Sequence, residues 1–292
     1  SVASLVRGWY ALLMASLDKT EVPVSFSGLS DDRSKALLSI LGEAVTSAHD
    51  IVSSSKLAPR SKPLKSLSLM ILHNMAEKGE SVHQLASKGM SAGIEAIVRS
   101  MFESYVDLQN LHSYPDHYPN YLFAVVALNQ RKQIEIAIKN PEWHWSALSR
   151  LEAASFAGST LEDFQAQMVG EVNYLKRNLS DQFFRDTDRK RLETRIEVRA
   201  EWAGLHDKYD QDYRYLSAVS HSDMIDVTPK TQEHVSAWWP PERRPCSSAA
   251  VWAAATYLIE AIDKVTKKLK LRRHKLIALE RRLEDWLGGG EK

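Results

Sequence analysis

Only one cysteine, Cys246, occurs in 292 residues. It has no partner for an internal disulfide and cannot build a cysteine-rich zinc site, so a reducing, cytoplasmic setting is expected. The 12 glycines are scattered, and neither Gly-x-Gly-x-x-Gly nor Gly-Lys-Ser/Thr is present. Dinucleotide binding of the Rossmann type and P-loop chemistry are thereby excluded, because both need glycines where the backbone must approach phosphate. Excess charge of one sign is missing as well. Thirty-eight Lys+Arg against 37 Asp+Glu leave +1, so any nucleic-acid contact must come from a local patch. Long apolar runs are also lacking. The stretch 9–17 follows Arg7 but is short for a span and shows no convincing cleavage site, so neither a signal peptide nor an anchor is expected, and no membrane partner. The chain opens on Ser1, and residues upstream of it are left open.

What is present is helical periodicity. Seven of the ten prolines fall in clusters, at 59 and 63, 115 and 119, and 240 to 245, and the others stand singly at 23, 141 and 229, leaving long uninterrupted segments between them. This predicts an all-α fold, a helical bundle. Helices are expected over 2–17, from the Ser30-Asp31-Asp32 caps to the serines at 53–55, over 64–75, 91–111 and 121–138, and near 141–154, 160–178, 187–203 and 207–222. The segment 64–75 is apolar nearly all round and reads as a buried helix. Residues 247–287 read as one long C-terminal helix ended by Gly288 to Gly290. No repeat or low-complexity linker is found. The domain reading is an N-terminal helical segment, 1–63, beside a bundle, 64–292, with 1–292 as one domain the alternative.

Chemistry concentrates in two stripes. In Asp207-Lys-Tyr-Asp-Gln-Asp-Tyr-Arg-Tyr-Leu-Ser-Ala-Val-Ser-His-Ser-Asp223, Arg214 and His221 lie seven apart, nearly two α-helical turns. Ser217 falls between them and Asp210 one turn earlier, while Tyr213, Tyr215, Leu216 and Val219 are expected to pack. In residues 94–106, Glu95, Arg99 and Glu103 follow one another at four-residue intervals among apolar neighbours. Facing stripes inside a bundle would pair Glu103 or Glu95 with Arg214 or His221, since bundle interiors are where such sites are built. Arg199 and His206 share the Arg–His spacing, so the polar context rather than the spacing favours Arg214 and His221.

The phrases Val98-Arg-Ser-Met-Phe-Glu-Ser104 and Tyr213-Arg-Tyr-Leu-Ser-Ala-Val-Ser-His221 resemble a bacterial domain family of unknown function with Arg-Ser-x-x-Glu and Tyr-x-x-x-Ser-x-x-x-His signatures. The second phrase also resembles the Arg-x(4–6)-His motif of the HEPN superfamily, helical domains that include many toxin and defence ribonucleases. That resemblance spans roughly residues 64 to 225. It implies metal-independent RNA cleavage by attack of the RNA's own 2′-hydroxyl, with no cofactor. It implies His221 for proton transfer, Arg214 for phosphate charge, Ser217 to orient either group, and Glu103 or Asp210 to fix the imidazole or guanidinium, with Arg99 and Tyr213 supporting. Further implications are a homodimer joining two such stripes, RNA as the partner and a phage-defence or toxin setting with an antitoxin or other protein partner.

Two other readings stand beside it. In one the stripes form a specificity network or pocket in a non-enzymatic sensor or scaffold. The other starts from His206-Asp207, which resembles the dipeptide of HD-type phosphohydrolases, with His144, His221, Asp223 or Asp226 as further metal ligands. Cys246 beside Arg243 and Arg244 reads as inert. The basic run 264–276 reads as a solvated helix face with an RNA-facing role as the alternative, and the tryptophans at 143, 145, 238 and 239 as loop anchors rather than base-stacking platforms.

Overall fold

A computed structural model describes residues 32–55, 63–90, 93–139, 161–214, 216–217, 248–271 and 274–288. Among the described residues every regular element is helical, and the one β feature is an isolated antiparallel bridge between Phe184 and Leu192. The all-α bundle stands. None of these helices is long and apolar enough to cross a membrane.

The chain divides into two compact units, 1–109 with 203–292, and 110–202. That division does not follow the Pro63 boundary. The helix α1 (Asp32–Ser54) buries Leu37, Leu41, Ala44 and Ala48, spaced by three or four residues, completely. It packs on α2 (Pro63–Ser87), so residues on both sides of Pro63 share one core rather than leaving α1 peripheral. Gly79 lies at a close approach, since a Cβ there would be 3.1 Å from Val45 and 3.2 Å from Leu258. Within α2, Met70 is exposed, which corrects the expectation of a helix buried on every side.

That all-round burial belongs to a later helix. Residues 250–259 of α7 (Ser248–Leu269) are all buried, and α7 packs on both α1 and α2. The expected single helix 247–287 is two, because Lys270 takes a left-handed φ of 56°. The Lys270 N–H reaches Lys267 O at 3.3 Å and Leu271 N–H reaches Thr266 O at 2.9 Å, the paired bonds that close a helix at a left-handed residue. Glycine usually fills that place, so a lysine there hid the break. The helix α8 (His274–Gly288) then returns along α1. Arg282 pairs with Glu43 at 2.6 Å, and the Arg33 guanidinium covers the Trp286 ring at 4.7 Å.

The helix α3 (Ile94–Ser113) gives unit one its buried Ile94, Val98, Met101, Phe102 and Tyr105. In the second unit α4 (Tyr118–Lys139) packs on α5 (Leu161–Arg177) around Ala127, Ile134, Met168 and Val172. An aromatic nest of Tyr118, Tyr121, Phe183 and Trp202 completes it, with the Tyr121 hydroxyl donating to Glu193 O at 2.6 Å. The helix expected over 187–203 is only α6 (Ile196–Trp202). Before it, Arg189 adopts a φ of 56° in a tight turn that helical periodicity does not reveal. The helix expected near 141–154 lies outside the described residues, as do residues 1–31.

Candidate functional site

The segment 206–217 is not one regular α-helix. After a single α-turn, His206–Lys208, the residues Tyr209–Tyr213 form a π-turn in which the Arg214 N–H bonds back to Tyr209 O. Such turns insert one residue into the helical repeat and recur at functional sites. Their consequence here is a change of phase, so that Asp212 and Tyr213 point into the unit while Asp210 and Arg214 point out.

Tyr213 joins the two stripes. Its hydroxyl accepts a hydrogen bond from Arg99 Nε at 2.9 Å and donates to Glu103 Oε1 at 2.9 Å, and Arg99 and Glu103 are themselves 3.5 Å apart one turn along α3. The ring packs on Phe102 and stacks on Tyr209. Burial together with the Glu103 carboxylate pushes the Tyr213 hydroxyl up to about 12, so it stays protonated and keeps donating. Lys78 of α2 donates to Ser100 O and to the Ser104 hydroxyl, and burial lowers its pKa against the opposing pull of Glu103 and Asp107.

The partner of Arg99 and Glu103 is thus Tyr213, not Arg214. Arg214 pairs with Asp210 at 3.3 Å, and its side chain is 68% exposed. The expected pairing of Glu103 with Arg214 is corrected accordingly, because the π-turn turns the guanidinium away from α3. Asp210 also faces His206, at 3.4 Å. Ser217 is half-buried. His221 lies outside the described residues, as do Tyr215, His144, Asp223 and Asp226. Among the described residues no three His, Cys, Asp or Glu side chains gather as a metal site.

A second polar cluster on the same turn went unread in the sequence. Lys208 Nζ lies 2.7 Å from both carboxylate oxygens of Glu260, over the rings of Tyr105 and Tyr257. Asp212 accepts from the Tyr257 hydroxyl at 2.6 Å. Burial raises the Asp212 pKa above the usual carboxylate value, against the Tyr257 hydrogen bond and Lys208, which lower it, and with Glu260 adding to the rise. Tyr257 is pushed up in turn, first by burial and then by Asp212. Tyr105 stacks on Tyr257, accepts from Gln109 at 2.7 Å and is likewise raised, chiefly by burial. The available signal was Tyr257 and Glu260, with Thr256, inside the otherwise apolar run 249–262.

One family model, described as a family of unknown function (DUF5677), matches residues 66–234, more than half of the chain. The chain belongs to that family. No curated protein and no solved structure matches it. The DUF5677 match takes in α3 and the whole π-turn, so Arg99, Glu103, Tyr213 and Arg214 all fall within it. Tyr257 and Glu260 of α7, which complete the second cluster, follow its end.

Proposed function

We propose that this DUF5677 protein is a HEPN-like, metal-independent endoribonuclease of a bacterial defence or toxin system, with Arg214 and His221 at its site. The observation that carries this reading is the state of Arg214. Its guanidinium stands in solvent, held by one exposed carboxylate, on a turn whose neighbouring residue is locked to α3 through Arg99 and Glu103. A pre-positioned, accessible fork of donors suits two phosphate oxygens as charge grows in a transition state.

In this reading the RNA 2′-hydroxyl loses its proton and attacks the adjacent phosphorus. The bond to the 5′-oxygen breaks, and that oxygen takes up a proton. His221 serves the proton transfers because an imidazole exchanges protons near neutral pH. Asp210 orients Arg214, Ser217 orients the phosphate or the imidazole, and Tyr213 with Arg99 and Glu103 holds the turn. A homodimer would bring two such stripes to one cleft, and an antitoxin or other protein partner would restrain it in the cytoplasm.

The inward-facing clusters favour a second reading, a sensor or scaffold. Lys208 and Glu260, like Arg99, Tyr213 and Glu103, satisfy one another, as a network that specifies a bundle would. For the HD-type phosphohydrolase, the structure adds only that His206 is engaged with Asp210.

Incubating the protein with total RNA in EDTA separates the three. The ribonuclease predicts cleavage that His221→Ala and Arg214→Ala abolish without loss of the cooperative fold. The scaffold predicts no cleavage, and the phosphohydrolase predicts activity that EDTA removes and Mn²⁺ or Mg²⁺ restores.

A further inference from the structure

Residues 181–195 of the second unit form a short hairpin whose cations and carboxylates are unevenly matched. Glu193 N–H bonds to Phe183 O at 3.0 Å and Arg185 N–H to Arg191 O at 2.8 Å, on either side of the Phe184–Leu192 bridge. Arg185 and Arg191 are therefore directly opposed across the pair and project on one side of it. Both are exposed.

The hairpin is fixed from several directions. The Asp186 carboxylate accepts the backbone N–H groups of Lys190 at 2.8 Å and Arg191 at 3.2 Å, closing the turn. Arg189 donates to the carbonyls of Leu179 and Lys176 and lies over the Phe184 ring at 4.7 Å, and Lys176 donates to Lys190 O. Little backbone freedom is left to lose on binding.

These bonds also commit the local acids. Asp188 pairs with Lys190 at 2.9 Å, Asp181 with Arg189 at 3.5 Å, and the buried Glu193 carboxylate with Arg195 at 2.6 Å. Arg185 acts on Glu193 and the Arg191 side chain on Asp186 only through space, and among the described residues neither arginine makes an ion pair of its own. Two like charges directly opposed on a strand pair oppose folding, so the hairpin keeps them at a cost to its own stability. An anion bridging both guanidiniums would offset that cost.

We propose that this hairpin is a docking surface for single-stranded RNA, which Arg185 and Arg191 grip by its phosphates. Arginine forks hold phosphate oxygens in pairs, and the exposed Arg177 and Tyr174 at the end of α5 lead into the same hairpin. The exposed ring of Tyr174 is a stacking surface of the kind that the unstacked bases of a single strand use. The proposal rests on RNA being the substrate.

Its test is fluorescence anisotropy with a labelled 2′-O-methyl oligouridine, which cannot be cleaved, measured on the full chain from 50 to 200 mM KCl. The double variant Arg185→Ala/Arg191→Ala should weaken binding about tenfold at low salt and flatten the salt slope by about 1.4, two contacts at about 0.7 each. Arg185→Lys/Arg191→Lys should keep most of the slope. Relief of the repulsion should leave the melting temperature of the alanine variant no lower than that of the unaltered chain. Binding that depends on the hairpin supports the proposal even where no cleavage is seen, an outcome that overturns the ribonuclease alone. Unchanged affinity and slope in the alanine variant, or no binding by the unaltered chain, overturns the hairpin proposal.

Discussion

The Tyr213 hydroxyl stands between Arg99 and Glu103, 2.9 Å from each, and so locks the π-turn to α3. Tyr213→Phe keeps the ring against Phe102 and deletes only the bridge. Both charged partners keep some contact with water and with each other, so the loss should be about 1–2 kcal/mol. Urea unfolding followed by circular dichroism would read it, with an unchanged native spectrum. An unaltered midpoint would show that the bridge does not hold the turn.

Lys208 and Glu260 are each about three-quarters removed from solvent, at 23% and 28% exposure. Truncating either one strands the other charge, and Lys208→Met or Glu260→Gln should each cost about 2–3 kcal/mol, below the range for fully buried pairs. The double variant should recover part of that loss, giving a coupling energy of about 1 kcal/mol or more in a double-mutant cycle. Strictly additive losses would mean that the pair contributes nothing as a pair.

For Asp212 the sign follows from its raised pKa in the folded chain. Folding favours the protonated carboxyl, so this contribution to stability is complete below the unfolded value near 4 and is lost as pH rises through the folded value. Asp212→Asn keeps an acceptor for the Tyr257 hydroxyl and does not ionise. Its melting temperature relative to the unaltered chain should therefore be higher at pH 7 than at pH 4. A difference that is flat or reversed between the two pH values would contradict the assignment.

At Lys270 the left-handed φ of 56° strains any residue with a Cβ. Lys270→Gly should stabilise the α7–α8 junction by about 0.5–1 kcal/mol, readable as a raised denaturation midpoint. A lowered midpoint would mean that the lysine side chain contributes more than its backbone costs.

Much of this architecture was legible in the residue pattern, and the failures have specific causes. The four-residue rhythm of Glu95, Arg99 and Glu103 revealed one helix face, since such pairs meet within a single element. Its partner across the bundle was misplaced by one residue, Arg214 for Tyr213, because a constant 3.6-residue repeat cannot register the π-turn at 209–213. The tight turn at Arg189 and the helix end at Lys270 were invisible for a related reason: non-glycine side chains occupy left-handed positions where glycine is the usual signal. The central position of α7 was hidden by its small residues, as the alanine-rich 249–255 looks unremarkable until α1 and α2 close over it. Asp212, Tyr257, Lys208 and Glu260 come together only through tertiary contact, which no local spacing encodes.

The most direct measurement of the central claim uses one RNA oligonucleotide that the protein cuts in EDTA, compared with the same sequence carrying a single 2′-deoxy sugar at the cut position. Attack by the 2′-hydroxyl predicts a 2′,3′-cyclic phosphate on one product and a 5′-hydroxyl on the other, with the deoxy substrate left whole and both products missing when Arg214→Ala or His221→Ala replaces the unaltered chain. Intact RNA after incubation with the unaltered chain, or equal cutting of the deoxy substrate, would contradict it.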